Sequence, residues 1–172
     1  MKVTVATTNP VQAPADLLVV FATKEKETVL TSEAQDVDTA IDRLLTEVIK
    51  EESIEAVQGK AFLVHHKGKA LAKRVLVVGL GKVSDLLVSD LQSTFATIGR
   101  KAKEVSAKTI AIAIPEVVVK QFGAEKLGEV VVLGITLGTY TFLKHKNKEA
   151  QQKDKTVDAL TLLAPPARRA SD

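Results

Sequence analysis

The chain has 172 residues, 45% of them apolar and 26% charged, with a net charge of +3, no cysteine, no tryptophan and a single tyrosine. That length suits one domain that buries about 70% of its unfolded surface. The composition excludes disulfides, thiolate metal sites and a cysteine nucleophile, and it leaves few aromatic platforms for stacking nucleic-acid bases.

The opening residues MKVTVATTNP alternate apolar and polar side chains and lack a hydrophobic signal core, so they predict a strand over Lys2–Thr7 rather than a secretory leader. A loop with Pro10 and Pro14 leads to a second strand, Asp16–Phe21. Val37, Ala40, Ile41, Leu44, Leu45, Val48 and Ile49 then repeat at helical spacing. They predict one continuous helix, with Asp36 as its N-cap and Asp38 in its first turn.

Ala61–His65 reads as a strand, and His66-Lys67-Gly68-Lys69 as a turn into the run KRVLVVGLGK, Lys73–Lys82. Val75–Val78 is short, continuous and β-branched, the pattern of a strand buried on both faces. Gly79 and Gly81 then allow a sharp turn. Ser89-Asp90-Leu91-Gln92 matches a capping box and opens a helix with Leu91, Phe95, Ile98, Ala102 and Val105 as its buried stripe. Lys108–Ile114 is a further strand, stopped by Pro115.

The segment 125–143 is Val-rich, yet Leu127, Val131, Gly134/Ile135, Gly138 and Phe142 fall on one helical face. It is read as a buried helix approached closely through its glycines. Its apolar run, Val130–Leu143, is shorter than the ~20 residues a bilayer crossing takes. Thr156–Leu163 predicts a last strand, and the prolines after Ala164 mark 164–172 as a linker or disordered tail. The expected domain is 1–163, an α/β fold. The protein is expected to be cytoplasmic, with no membrane partner.

The strand–glycine–helix order raises a nucleotide reading. Gly79-Leu80-Gly81 lacks the third glycine of the dinucleotide fingerprint, and the P-loop spacing is absent. A structural turn is the reading this local pattern favours.

Charge is unevenly spread. Residues 25–55 carry ten acids and three bases, while residues 60–108 carry ten bases and three acids. Residues 1–143 balance, so the excess of +3 lies beyond them, where Lys144, Lys146, Lys148, Lys153 and Lys155 could give weak, salt-sensitive contacts to nucleic-acid phosphates. A solvated basic segment is the competing reading. His65 and His66 are neighbours in an extended segment and point to opposite faces, and His145 lies in the basic segment, so no histidine pair predicts a metal site.

Ala15–Val19, KRVLVVGLGK, Gly138–Lys148 (GTYTFLKHKNK) and Val157–Leu163 (VDALTLL), taken in order, resemble the N-terminal domain of the leucyl (cytosol) aminopeptidase family. The resemblance covers residues 1–163. It implies a three-layer α/β/α sandwich with a mixed sheet, similar to a macro domain. It also implies that catalysis uses two divalent metal ions held by a separate C-terminal domain with an N-T-D-A-E-G-R motif. No such motif occurs in this chain, so no catalytic, cofactor-binding or metal-binding residue is assigned to it.

The expectation is therefore a non-catalytic assembly and regulatory domain, an aminopeptidase without its catalytic half. The partners that the resemblance implies are that catalytic domain and a homo-oligomer, hexameric in the full-length family. The alternative is a stand-alone ligand-binding domain for ADP-ribose or a nucleotide. Asp16 lies near the place of the acidic residue that macro domains use, but ATKEKETVL, the segment after Phe21, has no glycine for a phosphate loop.

Overall fold

The computed structural model describes residues 1–67, 69–140 and 156–165. Seven strands and five α-helices alternate along them. The strands are β1 (Lys2–Ala6), β2 (Leu17–Lys24), β3 (Thr28–Leu30), β4 (Ala61–His65), β5 (Arg74–Gly79), β6 (Thr109–Ala113) and β7 (Ala159–Leu163). The helices are α1 (Ser32–Ala40), α2 (Leu44–Glu51), α3 (Val88–Glu104), α4 (Glu116–Phe122) and α5 (Ala124–Thr139).

One mixed sheet runs in the order β1-β7-β6-β2-β5-β4, with β3 paired to the far end of β2. The β1–β7, β7–β6, β6–β2 and β2–β5 pairs are parallel, and β4 and β3 add antiparallel partners. The period of two along each strand sorts the core into two layers. Leu17, Val19 and Phe21 of β2 join Leu76 and Val78 of β5 under α3, α4 and α5. Leu18, Val20 and Ala22 join Val75 and Val77 under α1 and α2. The fold is thus the expected α/β/α sandwich with a mixed sheet, and the β5 strand is buried on both faces as its composition predicts.

The α3–α5 pair matches its sequence pattern closely. Leu91, Phe95, Ile98 and Ala102 are buried on α3, joined by Thr94 and Gly99. Leu127, Val131, Gly134, Ile135 and Gly138 are buried on α5. The glycines set the approach of the two helices. A Cβ on Gly138 would overlap the carbonyl oxygen of Ala96, one on Gly134 would lie 2.6 Å from the Phe95 Cβ, and one on Gly99 2.8 Å from the Ile135 oxygen. Phe142 lies outside the described residues.

Several boundaries differ from the sequence reading. The expected single helix over Val37–Ile49 is two helices, broken where Asp42 and Arg43 take left-handed backbone angles (φ 58° and 61°). The break occurs because Asp38 turns back to cap the second helix. Its carboxylate accepts hydrogen bonds from the Leu45 amide at 2.8 Å and the Thr46 amide at 3.2 Å, and from the Thr46 hydroxyl. Asp36 is no N-cap, since α1 begins at Ser32. Helix α3 starts one residue before Ser89, and its leading amide, that of Leu87, is held by the Asp90 carboxylate at 2.9 Å rather than by a Ser89–Gln92 box. Val105 is the half-buried C-terminal end of that stripe. Two elements lack a sequence signal strong enough to announce them: β3, only three residues long, and α4, which follows Pro115 directly.

Candidate functional site

Parallel sheets place their functional loops at the carboxyl ends of the strands, where helix N-termini and glycine turns expose amides to a ligand. Here that rim carries the Gly79–Gly81 turn after β5, the start of α4 after β6, and the β2–β3 hairpin. In the turn, Gly81 has φ +67°, and Gly79 is required for another reason: a Cβ there would overlap the Val57 carbonyl oxygen. The segment before β4 is therefore packed directly onto the turn.

That packing consumes the amides. Gly79 N–H donates to the Lys60 oxygen at 2.8 Å, Leu80 N–H to the Ala22 oxygen at 2.9 Å, and Gly81 N–H to the Ala56 oxygen at 2.9 Å. The Gly81 oxygen in turn accepts from the Lys24 N–H at 2.9 Å. The turn works as a clasp that fastens β2, β5 and the 56–60 segment together.

The neighbouring helix start is also provided with an anion. The Glu116 N–H of α4 donates to Oε1 of Glu33 at 3.2 Å, and Glu33 is buried in the first turn of α1. Negative charge at a helix N-terminus is favourable through the peptide dipoles. A protein carboxylate thus fills the place a phosphate would take. The sequence reading missed Glu33, although a signal was present: extending the apolar stripe of Val37 back by one turn lands on it.

Asp16 sits at the other end of the sheet. It immediately precedes β2 at the amino-end rim, where it joins three strands: Lys73 Nζ lies 2.6 Å from Oδ1, and the Lys108 and Thr109 amides donate to Oδ2 at 2.9 and 3.1 Å. The Lys73 hydrogen bond is the main cause that lowers the Asp16 carboxyl to a pKa of about 2, and the two backbone amides add to it. Asp16, which the alternative reading set near the place of a macro domain's acidic residue, is a strand tie in this fold.

The same rim gathers Lys2, Lys73, Arg74 and Lys108 at the starts of three parallel strands, β1, β5 and β6. His65 is exposed at the end of β4, and His66 Nε2 bonds to the Ala72 oxygen at 2.8 Å. His145 and the lysines of 144–155 lie outside the described residues. Among the described residues no three His, Cys, Asp or Glu side chains converge on a point that could hold a metal ion. These described residues do not fit a two-metal hydrolytic centre.

Residues 18–149 match the model of the cytosol aminopeptidase family, N-terminal domain. The chain belongs to that family. It is 30% identical over 126 residues to a probable cytosol aminopeptidase of Alkaliphilus metalliredigens, covering 73% of this chain and 25% of that one. It is 28% identical over 165 residues to the one of Roseiflexus castenholzii, covering 96% and 31%. The chain therefore spans about a quarter to a third of the length of these relatives.

Among solved structures it is similar to a tomato leucine aminopeptidase mutant, with a TM-score of 0.76 at 21% identity, covering 96% of this chain and 33% of that one. It is also similar to the macrodomain of Mycobacterium tuberculosis DarG, with a TM-score of 0.64 at 15% identity, covering 96% and 98%. At these identities the two structures speak for the fold. This N-terminal domain of the cytosol aminopeptidase family is built like a macro domain. Among its described residues no helix is long and apolar enough to cross a membrane.

Proposed function

We propose that this chain serves as the non-catalytic assembly and regulatory domain of a cytosolic aminopeptidase. The observation that carries the reading is the state of the carboxyl-end rim. The Gly79–Gly81 amides and the α4 N-terminus, the positions where an α/β domain would hold a phosphorylated ligand, are bonded to the chain's own carbonyls and to Glu33. A rim closed in this way suits a rigid body that docks against other protein surfaces. Its partners on this reading are the catalytic domain that the family resemblance implies and further copies in a hexamer. The two divalent metal ions belong to that catalytic domain.

An aminopeptidase assay on leucine p-nitroanilide with Mn²⁺ or Zn²⁺ tests the non-catalytic part. Protein free of host peptidases is expected to give no turnover, and chelator-sensitive activity that copurifies with the chain would overturn the reading. Isothermal titration with ADP-ribose tests the closed rim. Saturable binding in the low micromolar range would move the domain into the ligand-binding class.

A further inference from the structure

Strand β1 ends the sheet, and none of its residues is buried, whereas each of the other six described strands has at least one that is. Its register on β7 decides which of its backbone groups are spent. The Lys2 N–H donates to the Asp158 oxygen at 2.7 Å, and the Ala6 oxygen accepts from the Ala164 N–H at 2.8 Å. In a parallel ladder the N–H and C=O of one residue point the same way, so Lys2, Thr4 and Ala6 face β7. Val3 and Val5 therefore aim both groups away from the sheet, and among the described residues no strand pairs with them. Natural sheets protect such an edge with prolines, bulges or several charges. β1 has no proline, its five-residue register is unbroken, and Lys2 is its one charge.

The side chains of Val3 and Val5 share the α5 face with Leu160 and Leu162, and they are 40% and 67% exposed. Beside Val5 an apolar cavity of about 200 Å³ opens between Gly128 and Val131 of α5, Leu162 of β7 and Pro165. The free backbone groups are disposed symmetrically about Thr4. A two-fold axis there sets Val3 of each copy against Val5 of the other, for four new backbone hydrogen bonds. It sets Thr4 against Thr4, a favourable cross-strand pair, and Lys2 against Ala6 rather than against a second lysine. We infer that β1 pairs antiparallel with β1 of a second copy of this chain, centred on Thr4, so that two sheets join and four valines line up between the two apolar cavities. Such a contact buries about 800 Å² in total, less than the ~1,200 Å² of a stable complex. It forms a weak dimer that gains strength once copies are held together by other contacts. The inference deepens the assembly role proposed above and rests on it for the identity of the partner.

The 172-residue chain has no cysteine, so a single introduced thiol reports its own neighbour. The two residues at the centre of the pair have Cα atoms about 4.5 Å apart, within disulfide reach, whereas the two copies of residue 2 lie about 14 Å apart. With diamide as oxidant, Thr4→Cys is expected to crosslink into dimers at least about tenfold faster than Lys2→Cys. Both positions are exposed, so neither change should disturb folding. Sedimentation velocity of the unaltered chain, from about 10 µM to about 1 mM, should show a dimer with a dissociation constant of about 100 µM. Val5→Pro removes only an outward-facing N–H and leaves the ladder to β7 intact, and it should weaken that dimer at least about tenfold.

Equal crosslinking of the two cysteine variants would overturn the inference. So would a chain that stays monomeric at about 1 mM, which would leave the edge to a different partner. A dimer that Val5→Pro leaves intact would overturn the β1 pairing while the assembly role stands, and the peptidase and ADP-ribose measurements decide that role separately. If Val5→Pro unfolds, the crosslinking ratio decides.

Discussion

The two helical layers of this domain are held to the sheet by different means. On one face α3 and α5 meet through Gly99, Gly134 and Gly138, backbone against backbone, with Phe21 and Phe95 in edge contact (ring centroids 6.1 Å apart) beneath them. On the other face α1 and α2 are short, separated by a left-handed break, and anchored by two buried carboxylates, Glu33 and Asp38. The first layer depends on shape, and small changes of volume should disturb it. The second depends on carboxylate oxygens that accept backbone amides, so removal of an oxygen should disturb it. A close-packed interface tolerates little overpacking, whereas a buried cap is lost with its acceptor.

The largest expected effect falls on the glycine face. Gly138→Leu must push its side chain into the Ala96 carbonyl and should destabilise the domain by about 3 kcal/mol or more in urea melts. An effect below about 1 kcal/mol would mean that the interface yields easily, and the contrast between layers would collapse.

Next comes Asp38→Ala, which leaves the Leu45 and Thr46 amides of α2 without their acceptor. A loss of about 2 kcal/mol is expected from the same melts. If the loss is negligible, the break at Asp42–Arg43 is set by something other than this cap.

The amino-end rim supplies a third comparison, because Asp16 ties the sheet rather than either helical layer. Its carboxyl is depressed in the folded state to about 2, so the contribution is complete above the unfolded carboxylate range near 3.8 and fades as pH falls through about 2. Lys73 is 73% exposed and solvent screens the pair, which limits the contribution to about 1 kcal/mol. Denaturant melts at pH 5 and pH 2 should show the wild type losing about that much more stability than Asp16→Asn.

The smallest effect has the opposite sign. Gly128 lies on α5 with open space where a Cβ would stand, so Gly128→Ala should stabilise by about 0.5 kcal/mol. Destabilisation there would show that α5 is crowded beyond its contact with α3.

Sequence alone determined the elements whose signal is periodic. The strand at Val75–Val78, the strand Ala61–His65, and the stripes of α3 and α5 follow from spacing, because a side chain's direction in a strand or helix is fixed by its index along the chain. The family was legible in the order of Ala15–Val19, Lys73–Lys82, Gly138–Lys148 and Val157–Leu163.

What periodicity could not convey was any choice made between distant segments. The apolar spacing of Val37–Ile49 runs unbroken through Asp42 and Arg43, and only Asp38 reaching Leu45 and Thr46 divides it. Asp16 stands in sequence far from Lys73 and Lys108, which approach it only once β2, β5 and β6 align. The glycine turn reads as structural in sequence, but the carbonyls of Ala22, Ala56 and Lys60 that close it come from distant segments. Glu33 reads as one more solvated acid until β1, β7 and α4 wall it in. Hydrogen-bond partners and burial are long-range quantities, so the tertiary structure alone decided which polar residues are structural ties and which, like Glu33 and His66, keep a buried atom unpaired.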